Sequence, residues 1–225
     1  MKSATESDTR LTRFVLVAGL AVVTVCAIAT PAAAQTCVGR GSFAEAPWQA
    51  RVETSYSNST KSFGPSITRS FGAFFAGGLA DLVGYPGLDE SAASVGGTIG
   101  AELGHRASRV QACPVATILH QFGPNIPGAS SSANVASFGG RIGVVASENA
   151  TLQVVPTVGM DFQYEHDMVE TAISAASSRH YTDTRLGVGF VLNRRTAIVP
   201  EIIQIYGVSS DTTIRLTVAF GFGGR

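Results

Sequence analysis

The segment 212–222, TTIRLTVAFGF, alternates between apolar residues and small or polar residues without interruption. One face carries Ile214, Leu216, Val218, Phe220 and Phe222, and the other carries Thr213, Arg215, Thr217, Ala219 and Gly221. Successive side chains of a β-strand point to opposite sides, so this pattern predicts a strand with one apolar face.

The same alternation recurs through most of the chain after residue 47, in 94–103, 135–146, 152–164 and 185–192. Two further runs are less regular. In 110–121, Val115 and Leu119 fall on the polar face, and 197–206 is apolar on both sides except at Glu201 and Gln204. No segment has a 3.6-residue apolar period long enough to indicate a helix, so the chain is predicted to be all-β.

Counting back from residue 222 gives ten predicted strands, with eight as the alternative. They lie near 48–57, 62–69, 71–81, 94–104, 109–121, 134–146, 151–165, 180–192, 196–206 and 212–222. Short connections near 105–108, 147–150 and 193–195 alternate with longer ones near 83–91, 123–133 and 166–179. Outer-membrane barrels have short periplasmic turns and longer outer loops. The prediction is therefore a closed antiparallel up-and-down transmembrane β-barrel.

The N-terminal region divides into a leader and a short spacer. Residues 1–34 have a basic start, an apolar core over 14–29 and an Ala-rich end, which is typical of a cleavable signal peptide. We assign 1–34 to that signal peptide, 35–47 to an N-terminal periplasmic segment that plugs the lower lumen, and 48–225 to the barrel.

The charge distribution favours lipid around the barrel. The leader holds three of the 16 basic and two of the 16 acidic residues, so 13 basic and 14 acidic residues remain. Lys61 is the only lysine after residue 34, whereas a soluble barrel needs a charged coat. A soluble exported ligand-binding β-barrel, with apolar residues inside, is the alternative. No basic stripe indicates nucleic-acid binding.

If the polar faces point inward, their charges must neutralise one another, because an unpaired buried charge costs several kcal/mol. We predict a polar network in the lumen formed by Glu102, Arg141, Asp161, Asp183, Arg185, Glu201 and Arg215.

Cys37 and Cys113 are the two cysteines outside the leader. In an exported, oxidising compartment they are predicted to form a disulfide, with two separate thiols as the alternative. The alternation places Cys113 on the inward face near the periplasmic end, where Cys37 could hold the plug. Such a bridge contributes about 4 kcal/mol in the chain-entropy model.

The leader, the strand pattern, the pair Cys113-Pro114 and the closing sequence LTVAFGF resemble the small outer-membrane β-barrel proteins of the OmpA-barrel/OmpX-like superfamily. The resemblance covers about 48–222. It implies an outer-membrane location and recognition of the closing strand by the outer-membrane assembly machinery. Such proteins usually end on an aromatic residue, whereas here Gly223, Gly224 and Arg225 follow Phe222.

Candidate reactive side chains lie near the predicted outer rim. Three histidines have acids and serines near them in sequence: His120, His166 and His180, with Glu165, Asp167, Glu170, Ser177 and Ser178. A lipid-modifying hydrolase or acyltransferase would need a nucleophile and a base within reach of each other, but no spacing motif links these residues. Residues 165–167 are Glu, His and Asp, all of which can ligate a metal ion. Neighbouring side chains on a strand point to opposite faces, however, so the three would not converge on one ion. We therefore predict no catalytic, metal or cofactor site.

Aromatic residues near the predicted strand ends are candidates for the interfacial girdles of a membrane barrel: Trp48, Phe122, Tyr164, Tyr181 and Tyr206. Ordinary strand aromatics are the competing interpretation. The functional prediction is a non-enzymatic integral outer-membrane barrel, monomeric and without a wide pore. It would contact outer-membrane lipid and act structurally or through its extracellular loops.

Overall fold

The computed structural model of the chain describes residues 46–88, 90–103, 109–124, 128–149, 151–170, 174–207 and 210–223. The predicted signal peptide, residues 35–45 of the predicted plug and the predicted turn over 105–108 lie outside these residues. No helix in the described part of the chain is long and apolar enough to cross a membrane.

Ten long strands and one two-residue strand make up the fold. They are β1 (Trp48–Tyr56), β2 (Lys61–Phe71), β3 (Phe74–Gly84), β4 (Ser91–Ala101), β5 (Val110–Phe122), β6 (Ser130–Val144), β7 (Ser147–Glu148), β8 (Leu152–Glu170), β9 (Ala175–Leu192), β10 (Thr196–Tyr206) and β11 (Asp211–Phe222).

The ten long strands form a closed antiparallel ring. Each pairs with its neighbour in sequence, β6 pairs with β8 across the short β7, and β1 pairs with β11 to close the barrel. The closing register sets Val52 opposite Val218. The predicted all-β, ten-stranded up-and-down barrel is thus confirmed, and the alternative of eight strands is wrong.

The largest departure from the predicted strand bounds is the β8–β9 hairpin. The sequence predicts a long loop over 166–179, but the two strands stay paired from Leu152 opposite Leu192 to Val169 opposite Ala175. Apart from Met168 and Val169, which lie on opposite faces, the residues of this extension are polar or small. A strand with no apolar face has no alternation to reveal it, so the pattern ends where the membrane-facing part of the hairpin ends.

Prolines affect the pairing unequally. Between β9 and β10 the ladder breaks after Ile198 opposite Phe190 and resumes at Glu201 opposite Gly187, which leaves out Pro200. This is the missing ladder bond expected where proline lacks an N–H. Pairing between β8 and β9 continues through Pro156 opposite Val188.

The apolar faces of the strands point outward. On β11, Ile214 is 62% exposed and Phe220 is 50% exposed, whereas the intervening Thr217 is fully buried in the lumen. Arg141 and Arg185 are 5% exposed. Apolar side chains surround the barrel, and charged and hydroxyl-bearing side chains lie inside it, as the sequence predicts.

A tight turn joins β9 to β10 at the end of the barrel where β11 finishes. It consists of residues 193–195, in which Asn193 and Arg194 have φ values of 48° and 54°. Two consecutive positive φ values belong to the turn type that matches the twist of a hairpin. We take this end of the barrel as periplasmic.

Candidate functional sites in the lumen and on the outer face

A buried carboxylate organises the middle of the lumen. Arg141 on β6 reaches across to Glu201 on β10 with two contacts, Nη1 to Oε1 at 2.8 Å and Nη2 to Oε2 at 3.1 Å. Arg215 on β11 donates from Nε to Oε2 of Glu201 at 3.0 Å. The planar guanidinium of Arg141 matches the carboxylate as a fork, a geometry that strengthens the pair. Three strands are thereby tied across the interior.

A second ion pair lies on the β8–β9 side of the lumen. Arg185 contacts Asp161 and, at 3.3 Å, Asp183, while Gln163 donates a hydrogen bond to Asp183. All three charged side chains are less than 10% exposed.

The first strand adds charges that the sequence reasoning did not single out. Arg51 lies 3.5 Å from Glu53, and Glu53 lies 3.8 Å from Arg215. With them, four arginines face four carboxylates in these ion pairs, and Asp81 on β3 lines the same cavity as Glu53 and Arg215. The alternation of Gln49, Arg51, Glu53 and Ser55 along β1 was the available signal.

Six of the seven charged residues predicted for the lumen network lie in these two ion-paired groups. Glu102 is also buried, one residue beyond the end of β4, where its N–H donates to the carbonyl of Ala73. It lies at the periplasmic end, outside the two groups.

Cys113 on β5 is 2% exposed and points inward between Gln111 and Val115. This is the orientation that the predicted disulfide requires. Cys37 lies outside the described residues, so the pairing of the two cysteines stays a prediction.

One side of the periplasmic end of the lumen is apolar, although Gln49, Gln111, Gln153 and Glu102 are also buried near this end. A cluster of fully or almost fully buried aliphatic side chains fills that side, with Ala46 packed against the cluster: Val145, Val155, Val191, Ala197, Val199 and Ala219. Because these are inward-facing positions, the lumen here is a packed core.

Above the ion-paired groups, the lumen opens into a cavity of about 360 Å³. Hydroxyl-bearing side chains line much of it, and Arg185 and Arg215 lie at its wall. Thr60, in the turn between β1 and β2, is part of the lining, so the cavity lies toward the extracellular end.

The inner face of the β8–β9 extension carries a charged cluster above the membrane-spanning part. Arg179 donates from Nε to Asp167 at 2.8 Å and lies 3.6 Å from Glu165. Burial raises the pKa of Glu165, and the neighbouring Asp167 adds to that rise. Burial alone would raise the pKa of Asp167, but hydrogen bonds with Glu165 and Arg179 outweigh it and lower that pKa.

The predicted reactive residues separate onto two faces. His166 Nδ1 lies 2.9 Å from the Ser178 hydroxyl on the outer face, while Glu165, Asp167 and Ser177 point inward. A serine and a histidine therefore meet, but the acids beside them in sequence do not join them.

The other two histidines are also on the outer face. His120 Nδ1 lies 2.9 Å from Asn134 Oδ1, and the ring of His180 packs against that of Tyr164 at 5.2 Å. Within the described residues, no group of three or more His, Cys, Asp or Glu side chains could hold a metal ion.

Aromatic and basic side chains mark both edges of the apolar exterior. Near the periplasmic edge, the Arg69 guanidinium lies 5.3 Å from the Trp48 ring and 5.1 Å from the Phe71 ring. At the opposite end of the same strands, Lys61 lies 5.5 Å from the Tyr56 ring. Such residues place their charge at the lipid headgroups and their rings at the boundary.

Four of the five predicted girdle residues face outward, and one faces the lumen. Trp48, Phe122 and Tyr206 occupy outward positions near strand ends, and Tyr164 faces outward where the apolar run of β8 ends. Tyr181 is wrong as a girdle residue, because it shares the inward face of β9 with Asp183 and hydrogen-bonds Glu165.

The chain matches no protein-family profile and no curated protein sequence. Among solved structures, it is similar to the β domain of the Bordetella autotransporter BrkA, with a TM-score of 0.51 and 12% identity over 78% of this chain and 98% of that chain. The N-terminal β-barrel domain of Pseudomonas aeruginosa OprF matches with a TM-score of 0.42 and 9% identity, over 78% and 96% of the two chains. The KdgM porin in complex with disordered oligogalacturonate matches with a TM-score of 0.41 and 8% identity, over 78% and 99% of the two chains.

At these identities, the likeness to the BrkA domain concerns the fold alone. The fold and the apolar exterior both indicate a membrane environment, because closed barrels with apolar side chains on the outside span lipid bilayers. The chain has the fold of an outer-membrane β-barrel, and its surface places it in the bacterial outer membrane.

Proposed function

We propose that this protein is a non-enzymatic integral outer-membrane barrel without a wide pore, acting structurally or through its extracellular loops. The observation that supports the proposal is the layer of ion pairs around Glu201, together with the apolar cluster at the periplasmic end. Both groups of side chains are buried inside the barrel, and the cavity of about 360 Å³ borders the ion pairs, since Glu53, Arg185 and Arg215 are part of its lining.

The size of the barrel and the packing of side chains in its lumen support the proposed absence of a wide pore. An eight-stranded barrel is just filled by its side chains, and water channels of porin width occur at 16 to 18 strands. Ten strands lie near the filled limit. A hydrated solute would have to separate Arg141 from Glu201, which are held by a two-pronged contact.

The proposal that the protein is not an enzyme is supported by the arrangement of the outer rim. Ser178 shares its hydroxyl between His166 and Tyr164, at 2.9 and 3.1 Å. Asp167, the carboxylate next to His166 in sequence, is engaged with Arg179 on the opposite face. A hydrolase would need a third group to orient the histidine.

We further propose outer-membrane lipid as the main partner, assembly through recognition of the closing strand β11, and a monomeric state. Kinship with the OmpA-barrel/OmpX-like superfamily also stays a proposal. The soluble ligand-binding alternative conflicts with the exterior, since Ile118 on β5 and Leu186 on β9 are 70% and 64% exposed.

The proposal predicts that the refolded protein shifts in gel migration between unheated and boiled samples, fractionates with outer membranes and conducts poorly. In planar bilayers we expect no stable conductance steps on the scale of a general porin, which serves as the positive control. Stable porin-sized steps from the wild-type protein would mean that the ion-paired layer does not close the lumen.

A further inference from the structure

A row of polar side chains crosses four neighbouring strands on the outer face of the barrel. The strand registers set His120 on β5 opposite Asn134 on β6, Asn134 opposite His166 on β8, and His166 opposite Ser178 on β9. All four point away from the lumen. We call these residues the outer row.

The height of the outer row follows from the apolar positions beneath it. On β8, the outward positions from Leu152 to Phe162 carry Leu, Val, Pro, Val, Met and Phe. Ten residue steps of about 3.3 Å, tilted by about 40°, span about 25 Å, the height of the apolar band of an outer-membrane barrel. Tyr164 comes next and His166 after it. The outer row therefore lies at the headgroups of the outer leaflet.

The contacts within the outer row leave hydrogen-bonding groups directed outward. His120 pairs with Asn134, and His166 pairs with Ser178, each at 2.9 Å. An amide, a hydroxyl and two imidazoles present both donors and acceptors. With strands about 4.8 Å apart, the row spans about 14 Å. That width suits a headgroup with several polar groups better than a single small ion.

In the extension of β8 and β9, most charged side chains lie on the inner face. Glu165, Asp167 and Arg179 form ion pairs on the inner face of the extension. Among the described outward positions of β5, β6, β8 and β9, the only carboxylate is Glu170, at the tip of β8. An anionic headgroup would meet no carboxylate along the row.

We propose that the outer row, with Tyr164 and His180 beside it, binds the phosphorylated sugar headgroup of an outer-leaflet glycolipid. This inference rests on the proposed membrane function and gives it a defined lipid site. The occupant is a lipid because the row continues directly from the apolar exterior. Amide, hydroxyl and imidazole groups donate hydrogen bonds to phosphate oxygens and exchange them with sugar hydroxyls.

The test uses the full-length protein in detergent and purified diphosphorylated lipid A as the probe, with binding followed by thermophoresis. The variant combines His120→Ala, His166→Ala and Ser178→Ala, and Ser178→Ala alone serves as a milder second variant. The matched control combines Gln204→Ala and Thr212→Ala, which removes another outward polar pair, hydrogen-bonded at 2.7 Å on β10 and β11. Heat-modifiable migration verifies the fold of each protein.

We expect the dissociation constant to rise at least tenfold in the triple variant, to rise less in Ser178→Ala, and to stay within twofold in the control. An unchanged constant in the row variants, an equal loss in the control, or equal binding of phosphatidylglycerol by the wild-type protein would overturn the glycolipid site. So would a folded, heat-modifiable wild-type barrel that does not bind lipid A, an outcome that leaves the proposed function standing. A wild-type protein without heat-modifiable migration would instead remove the proposed function and this site with it.

Discussion

Replacing Glu201 with glutamine is expected to destabilise the barrel by about 3–5 kcal/mol, the loss typical of breaking a buried ion pair from one side. Glu201 is 3% exposed, and its carboxylate forms ion pairs with the guanidinium groups of both Arg141 and Arg215. Glutamine keeps the shape of the side chain but removes the charge, so Arg141 would lose the partner of its forked contact, and Arg215 would keep only the more distant carboxylate of Glu53, at 3.8 Å. The free energy of unfolding, measured by urea titration in micelles, gives the effect.

The matched control for Glu201→Gln is Arg194→Gln. Arg194 Nη2 lies 3.2 Å from Glu148 Oε1, but the two side chains are 52% and 42% exposed. An exposed pair contributes about 0–1 kcal/mol. Equal, small effects in the two variants would contradict the idea that the ion pairs around Glu201 hold the lumen together.

Replacing Val158 with arginine is expected to destabilise the protein in a bilayer by about 2–4 kcal/mol, the cost of an arginine on the lipid face at the membrane midplane. Val158 lies midway along the outward apolar positions of β8, opposite Ile142 and Leu186, and is 50% exposed. In water, such an exposed arginine would cost almost nothing.

The same substitution at Thr212, an outward position at the extracellular end of β11, is expected to cost only about 0–1 kcal/mol, because charges are tolerated near the interface. Unfolding titrations of both variants in lipid vesicles measure the difference. If Val158→Arg were as stable as Thr212→Arg, the outer face would not be in hydrocarbon.

The membrane-facing part of the fold could be predicted from the sequence because a bilayer makes the two faces of each strand chemically opposite. Segment 212–222 has this contrast throughout and becomes β11. The β8–β9 extension beyond Tyr164 has water on both faces, so a loop was predicted where paired strands occur. Pairing there depends on the register set lower in the hairpin, which the composition of the extension does not encode.

The lumen charges were predictable for a related reason, since most of them lie on the polar face of an alternating strand, and Glu201 is one of two polar residues in the otherwise apolar run 197–206. Arg51 and Glu53 were missed because the faces of β1 were not separated. The outer row could not be predicted at all. His120, Asn134, His166 and Ser178 are dispersed over 59 positions of the sequence, and only the registers of four strands bring them together.

The central claim, that apolar side chains face lipid and the ion-paired side chains face a filled lumen, is tested most directly on β11. Nitroxide side chains placed singly at positions 212 to 222 of the protein in bilayers would report collisions with oxygen, which concentrates in hydrocarbon. The structure predicts frequent collisions at positions 214, 216, 218 and 220 and few at 213, 215, 217 and 219. A reversed pattern, or no alternation, would contradict it.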